Sequence, residues 1–156
     1  MTSARAAMRL YQLRWLSTTT NSWNYFNVGT AMIPHPSKVA KGGEDALSVS
    51  KNKRLVSVAD GVGGWAESGV DPAEYSRALC SIIKQQYDSD TMNKFKNQPR
   101  DLLISAVEEN KKLGSCTCVI LEIDDQDNSV NTVNLGDSGY LWVRKEGLDG
   151  VLKYET

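Results

Sequence analysis

The chain has 156 residues, 40% of them apolar and 24% charged, with a formal net charge of −1. That length holds one ordinary domain, and no apolar run approaches the ~20 residues of a membrane-spanning helix. All 19 acidic residues lie from Glu44 onward while five of the 18 basic ones precede it, so residues 44–156 carry a net −6, which argues against a nucleic-acid-binding surface.

The start of the chain bears Arg5, Arg9 and Arg14, then Ser17-Thr18-Thr19-Thr20, and no carboxylate. This is the composition of a mitochondrial transit peptide, expected over 1–21, with the protein delivered to the matrix. Arg5, Arg9 and Gln12 share one helical side that Arg14 leaves, so composition carries this expectation rather than amphipathicity. Arg14-Trp15-Leu16-Ser17 resembles a matrix-peptidase cleavage site. Residues 22–41 contain Pro34-His35-Pro36 and are expected to form an extended linker, with the folded domain over 42–156.

Ala46–Ser50 and Leu55–Ala59 read as the two strands of a β-hairpin around Lys51-Asn52-Lys53. Asp71-Pro72 reads as an N-cap followed by proline in the first turn. The apolar positions Ala73, Ala78, Leu79, Ile82 and Ile83 then continue as a helix. A second helix is predicted from Pro99 and Asp101, burying Leu102, Leu103, Ala106 and Val107 and ending at Gly114. Beyond it the period changes to two, with strands at Cys116–Ile123, Val130–Leu135 and Tyr140–Arg144. Strands, two helices and more strands define an α+β fold with antiparallel sheets and no internal repeats.

Cys80, Cys116 and Cys118 form no even-numbered disulfide framework, and adding His35, the one histidine, would exhaust the zinc ligands of the chain. Ordinary buried thiols in a reducing compartment fit better. The Asp124-Asp125-Gln126-Asp127-Asn128 run lacks the glycine and the twelfth-position glutamate of a calcium loop and reads as a solvated turn. Gly136-Asp137-Ser138-Gly139 taken alone suggests a serine nucleophile, but that chemistry needs a histidine base, and His35 lies in the expected linker between two prolines. Gly61-Val62-Gly63-Gly64-Trp65 has neither the lysine of a phosphate-binding loop nor a dinucleotide fingerprint.

Asp60 closes an apolar strand and meets Gly61, Gly63 and Gly64, a pattern that presents a carboxylate on backbone able to approach a ligand. Asp60 and the Gly61 carbonyl are suitable oxygen donors for Mg²⁺ or Mn²⁺. If the hairpin forms, its open end brings Glu44 and Asp45 to Asp60, and three like charges there call for a cation.

Together, Gly43-Glu44-Asp45, Ala59-Asp60-Gly61-Val62-Gly63-Gly64-Trp65, Gly114-Ser115-Cys116-Thr117-Cys118 and Asn134-Leu135-Gly136-Asp137-Ser138 resemble the metal-dependent Ser/Thr protein phosphatases of the 2C type. The tryptophan-bearing form resembles their mitochondrial matrix branch. The resemblance covers about residues 42 to 145. It implies a sandwich of two antiparallel sheets flanked by helices, and hydrolysis of phosphoserine and phosphothreonine in mitochondrial proteins by a water activated between two Mg²⁺ or Mn²⁺ ions.

By the same resemblance Asp60 is catalytic and bridges the ions with help from Gly61. Glu44 and Asp45 act directly or through water, and Asp137 belongs to an additional ion. Ala40 stands where many relatives carry a phosphate-binding arginine, leaving Lys41 or Lys38 for that task. The family's later Asp-Gly and Asp-Asn motifs do not occur before Thr156, so 42–156 is expected to be the N-terminal portion of the domain. The alternative expectation is a catalytically silent fragment or binding module. Phosphorylated proteins are the expected partners of a monomeric enzyme, with no nucleic acid and no transmembrane segment.

Overall fold

The computed structural model describes residues 25–146 and 151–155, so the expected leader over 1–21 lies outside the described residues. Residues 25–35 carry no regular structure, but Pro36–Lys41 closes into a short 3-10 helix where an extended linker was expected. Its causes are local. Pro36 presets the first turn, the Ser37 amide donates to His35 Nδ1 at 3.3 Å, and Gly42 at φ +77° ends the turn in the left-handed region.

The expected hairpin is present as Asp45–Val49 (β1) and Leu55–Asp60 (β2), with Asp45 opposite Asp60 and Val49 opposite Val56. Its turn is held by Ser50, whose Oγ accepts the amides of Arg54 at 3.1 Å and Leu55 at 2.9 Å. Pro72–Ser89 (α1) follows, N-capped by Asp71, whose Oδ1 accepts the Ala73 amide at 3.1 Å. Pro99–Glu109 (α2) ends at Asn110 rather than at Gly114. Asn110 turns extended and fastens itself sideways, its Nδ2 donating to the Tyr75 carbonyl while its Oδ1 accepts the Lys112 amide. Gly114, at φ +143°, instead lets the chain pass the Tyr75 ring, where a Cβ would lie 2.9 Å from the Tyr75 Cβ.

Cys118–Ile123 (β3) and Val130–Leu135 (β4) complete an antiparallel sheet of order β1-β2-β3-β4. Trp142–Glu146 (β5) starts two residues later than expected and pairs with Val151–Glu155 (β6), a strand the sequence pattern did not disclose. The α+β class is as expected.

Alternation decides which side of the sheet is covered. Leu55 of β2 and Cys118 and Ile120 of β3 point toward Leu79 and Ile83 of α1 and Leu102 and Ala106 of α2, and all seven are fully buried. Each large aliphatic side chain buried there contributes roughly 1.5–3 kcal/mol. The opposite face carries Val58, which is 51% exposed. Among the described residues no helix is long and apolar enough to cross a membrane.

Candidate active site

The site begins where two strand ends meet. Antiparallel pairing sets Asp45 directly across from Asp60, and the adjoining Glu44 carbonyl accepts the Gly61 amide at 3.1 Å. On the other side of β2, Asp60 exchanges two bonds with Thr117. The Thr117 amide donates to the Asp60 carbonyl at 2.9 Å, and the Asp60 amide donates to Thr117 Oγ1 at 3.2 Å. The aspartate backbone is therefore clamped between the hairpin and the segment entering β3.

Gly61 is required by space rather than by dihedral angle. A Cβ there would lie 2.7 Å from the Pro72 carbonyl oxygen and 2.9 Å from that of Glu44. The turn is thus pressed against the start of α1, and two residues of that helix secure the chain leading into Glu44. The fully buried Ser76 donates its hydroxyl to the Glu44 carbonyl at 2.6 Å. Arg77 donates from one guanidinium nitrogen to the carbonyls of Lys41 at 3.0 Å and Gly43 at 3.1 Å. Pattern reading passed over both residues, although two polar side chains on the first turns of a helix beside an acidic loop were available as a signal.

The electrostatics follow from this crowding. Partial burial first, then the Asp45 carboxyl beside it, then the charge of Glu44, hold the Asp60 pKa above its ordinary value, and Lys38 opposes them. Lys38 donates to Glu44 Oε2, and the 3-10 helix Gly63–Ser68 closes over the pair. A Cβ on Gly63 would stand 3.1 Å from the Glu44 carboxylate and 3.2 Å from the Lys38 ammonium. Of the two candidate lysines, Lys38 is the one drawn into the site. The Lys41 side chain is exposed and contributes its carbonyl to Arg77.

Asp137 follows β4 on an exposed loop. Ser138 Oγ and Thr117 Oγ1 lie 2.6 Å apart, so this loop is fastened to the same threonine that holds the Asp60 backbone. Trp65 anchors the closing turn by donating its indole N–H to Ser115 Oγ at 2.8 Å. Asp45 and Asp60 are brought face to face, Glu44 is engaged by Lys38, and Asp137 is tied nearby only through its loop. Among the described residues no group of three His, Cys, Asp or Glu side chains converges to enclose a metal ion. Cys80, Cys116 and Cys118 are free thiols, and burial raises all three pKa values.

The described residues thus form a sheet backed by two helices, with a carboxylate pair at a strand end beside a glycine whose Cβ would meet two backbone oxygens at under 3 Å. The comparisons give the family. No protein-family model matches the chain. It is 37% identical over 134 residues to probable protein phosphatase 2C 80 of Arabidopsis thaliana, covering 82% of this chain and 31% of that protein. Probable protein phosphatase 2C 55 of the same plant is 38% identical over 117 residues, covering 75% and 24%. The protein phosphatase PTC7 homolog fig of Drosophila ananassae is 38% identical over 112 residues, covering 65% and 32%.

Among solved structures, the photosystem II phosphatase PBCP matches with a TM-score of 0.56 at 37% identity, over 62% of this chain and 37% of that one. The chain belongs to the 2C-type protein phosphatases, a family of protein-serine/threonine phosphatases. It spans 24% to 32% of the length of the curated relatives described above.

Proposed function

We propose that this chain carries the N-terminal share of a metal-dependent site that hydrolyses phosphoserine and phosphothreonine in proteins. The observation that carries the reading is the Asp45–Asp60 pair facing across the hairpin next to Gly61. Two like charges set opposite each other are unfavourable unless a cation neutralises them, and their oxygen donors suit Mg²⁺ or Mn²⁺. Asp60, Asp45 and the Gly61 carbonyl are the donors that would hold it, with Glu44 behind them and Asp137 available for an additional ion. Bound there, a pair of such ions supplies Lewis acidity that lowers the pKa of a water and neutralises phosphoryl charge.

The chain's own residues do the rest. Thr117, Ser76 and the Glu44 carbonyl hold Asp60 and Gly61 in place, so the donor set is preorganised. Lys38 sits at the Glu44 carboxylate and is the basic group available to meet a substrate phosphate, as a point charge without the fork of an arginine. We assign the enzyme to the mitochondrial matrix from the acid-free, arginine-bearing start of the sequence, and propose that it acts as a monomer.

Phosphate release from a phosphothreonine peptide in Mn²⁺ tests the reading. Activity lost in Asp60→Asn and on chelation, but retained in Lys94→Ala, supports it. Absence of activity in the pure, folded 156-residue chain overturns it for this chain. Matrix import of a fusion carrying residues 1–41, abolished when Arg5, Arg9 and Arg14 become glutamine, tests the location separately.

A further inference from the structure

At the other end of the hairpin, about five strand residues or roughly 17 Å from Asp60, lies a polar cleft of about 120 Å³. Its floor contains an anomaly in the alternation of β3. Cys118 and Ile120 face the core, and the next residue in that row is Glu122, a carboxylate only 1% exposed. One of its oxygens is well served, since Oε1 accepts the Tyr87 hydroxyl and the Asn97 amide, each at 3.0 Å. Oε2 has no partner, and neither does Asn97 Oδ1. Both residues line the cleft.

Two buried oxygens that only accept, with no donor, are costly to leave so. Burial pushes the Glu122 carboxyl up, and the Asn97 amide and Tyr87 hydroxyl only partly oppose it. What is missing is a donor, and the surrounding charge says which kind. Arg54 and Lys96 both pair with Asp125, at 2.5 and 2.7 Å. With Asp90 and Glu122 counted, the lining is left with one negative charge in excess.

We infer that this cleft is a binding site for a guanidinium group, an arginine side chain of a polypeptide partner, which donates to Glu122 Oε2 and Asn97 Oδ1 together. A guanidinium suits two separated acceptors because its N–H groups diverge in a plane and it is weakly hydrated, whereas an ammonium is a strongly hydrated point charge. Lys96, its side chain 34% exposed against 22% for Arg54, is the more accessible cation of the lining and gives way to the incoming one. The site uses none of the residues assigned to phosphate hydrolysis and stands or falls independently of it.

The test titrates the full chain with Nα-acetyl-arginine-N-methylamide, followed by amide chemical shifts, with the norleucine analogue as control. The expected result is saturable binding with a dissociation constant on the order of 1 mM and shifts centred on residues 96–98 and 122. The norleucine analogue leaves them unmoved. Glu122→Gln puts an N–H donor where Oε2 stood and should weaken binding at least about tenfold. Lys96→Ala removes a competing cation and should tighten it about threefold. Should Glu122→Gln not fold, Asn97→Gly keeps the left-handed backbone at φ +58° and removes the second acceptor, with the same expected loss. No saturable binding by the unmodified chain, as if ordered water alone satisfied the two oxygens, overturns the inference. So does equal binding by the folded Glu122→Gln or Asn97→Gly chain.

Discussion

The Ser76 hydroxyl donates at 2.6 Å to the Glu44 carbonyl, and that same oxygen accepts the Gly61 amide at 3.1 Å. One carbonyl thus joins the first turns of α1, the start of β1 and the glycine after Asp60. Ser76→Ala is expected to cost about 1 kcal/mol in urea unfolding, the worth of one buried hydrogen bond. It should also weaken Mn²⁺ binding read by calorimetry. An unchanged stability and an unchanged Mn²⁺ affinity would show that the junction is incidental.

Gly61→Ala meets two backbone oxygens at under 3 Å, neither of them a flexible side-chain end. Overpacking of this kind costs about 1–3 kcal/mol. Gly64→Ala, with nothing within 4 Å, is the control and should shift the thermal midpoint little. Equal effects at the two glycines would argue against close approach as the reason for Gly61.

Asp60→Asn removes a charge facing Asp45 and near Glu44. In chelator the variant should be more stable than the parent by a few tenths of a kcal/mol, as for any like-charged cross-strand pair relieved. In millimolar Mn²⁺ the order should reverse, because only the parent gains from binding. Thermal unfolding in both conditions measures this, and a parent that Mn²⁺ fails to stabilise would contradict it.

Asp71→Ala deletes the cap on the Ala73 amide at the N-terminus of α1, the helix that carries Ser76 and Arg77. The expected loss is about 1 kcal/mol, with Asp71→Ser recovering most of it. Failure of serine to recover stability would mean that the carboxylate acts otherwise than as a cap.

Burial raises the Cys80 thiol to about 11 and the Cys116 thiol to about 12, from an ordinary 9. Above pH 9 the unfolded chain gives up these protons before the folded one does. Their contribution to stability is therefore complete below pH 9 and declines as pH rises toward 11. Urea midpoints under reducing conditions at about pH 8 and about pH 10 should fall in that order, and more shallowly in Cys80→Ala. Identical slopes in the two chains would count against this.

Local chemistry made much of the structure legible. The Asp71-Pro72 start acts within a few residues and is realised, whereas the alternation of Leu47 and Val49 marked a strand but not its covered face, because Ala46 and Ser48 are the buried residues of β1. Contacts between distant segments were hidden. Asn110 ends α2 because Tyr75 accepts its amide nitrogen, which no spacing discloses. The segment before Trp142 is a loop because Ser138 answers Thr117 and Tyr140 answers Thr132, delaying the strand expected from Tyr140. The carboxylates at the strand ends could be named from motifs, but that Lys38 pairs with Glu44 depends on the 3-10 helix that replaced the expected linker.

The strand order also separates local from distant contacts around Asp60. β1 and β2 are neighbours in both chain and sheet, so Asp45 meets Asp60 as soon as one short hairpin closes. The clamp from Thr117 comes from 57 residues further on, across both helices, and must await closure of that long loop. Loop-closure entropy therefore favours bringing the two acidic residues together in the hairpin before Thr117 closes on the Asp60 backbone.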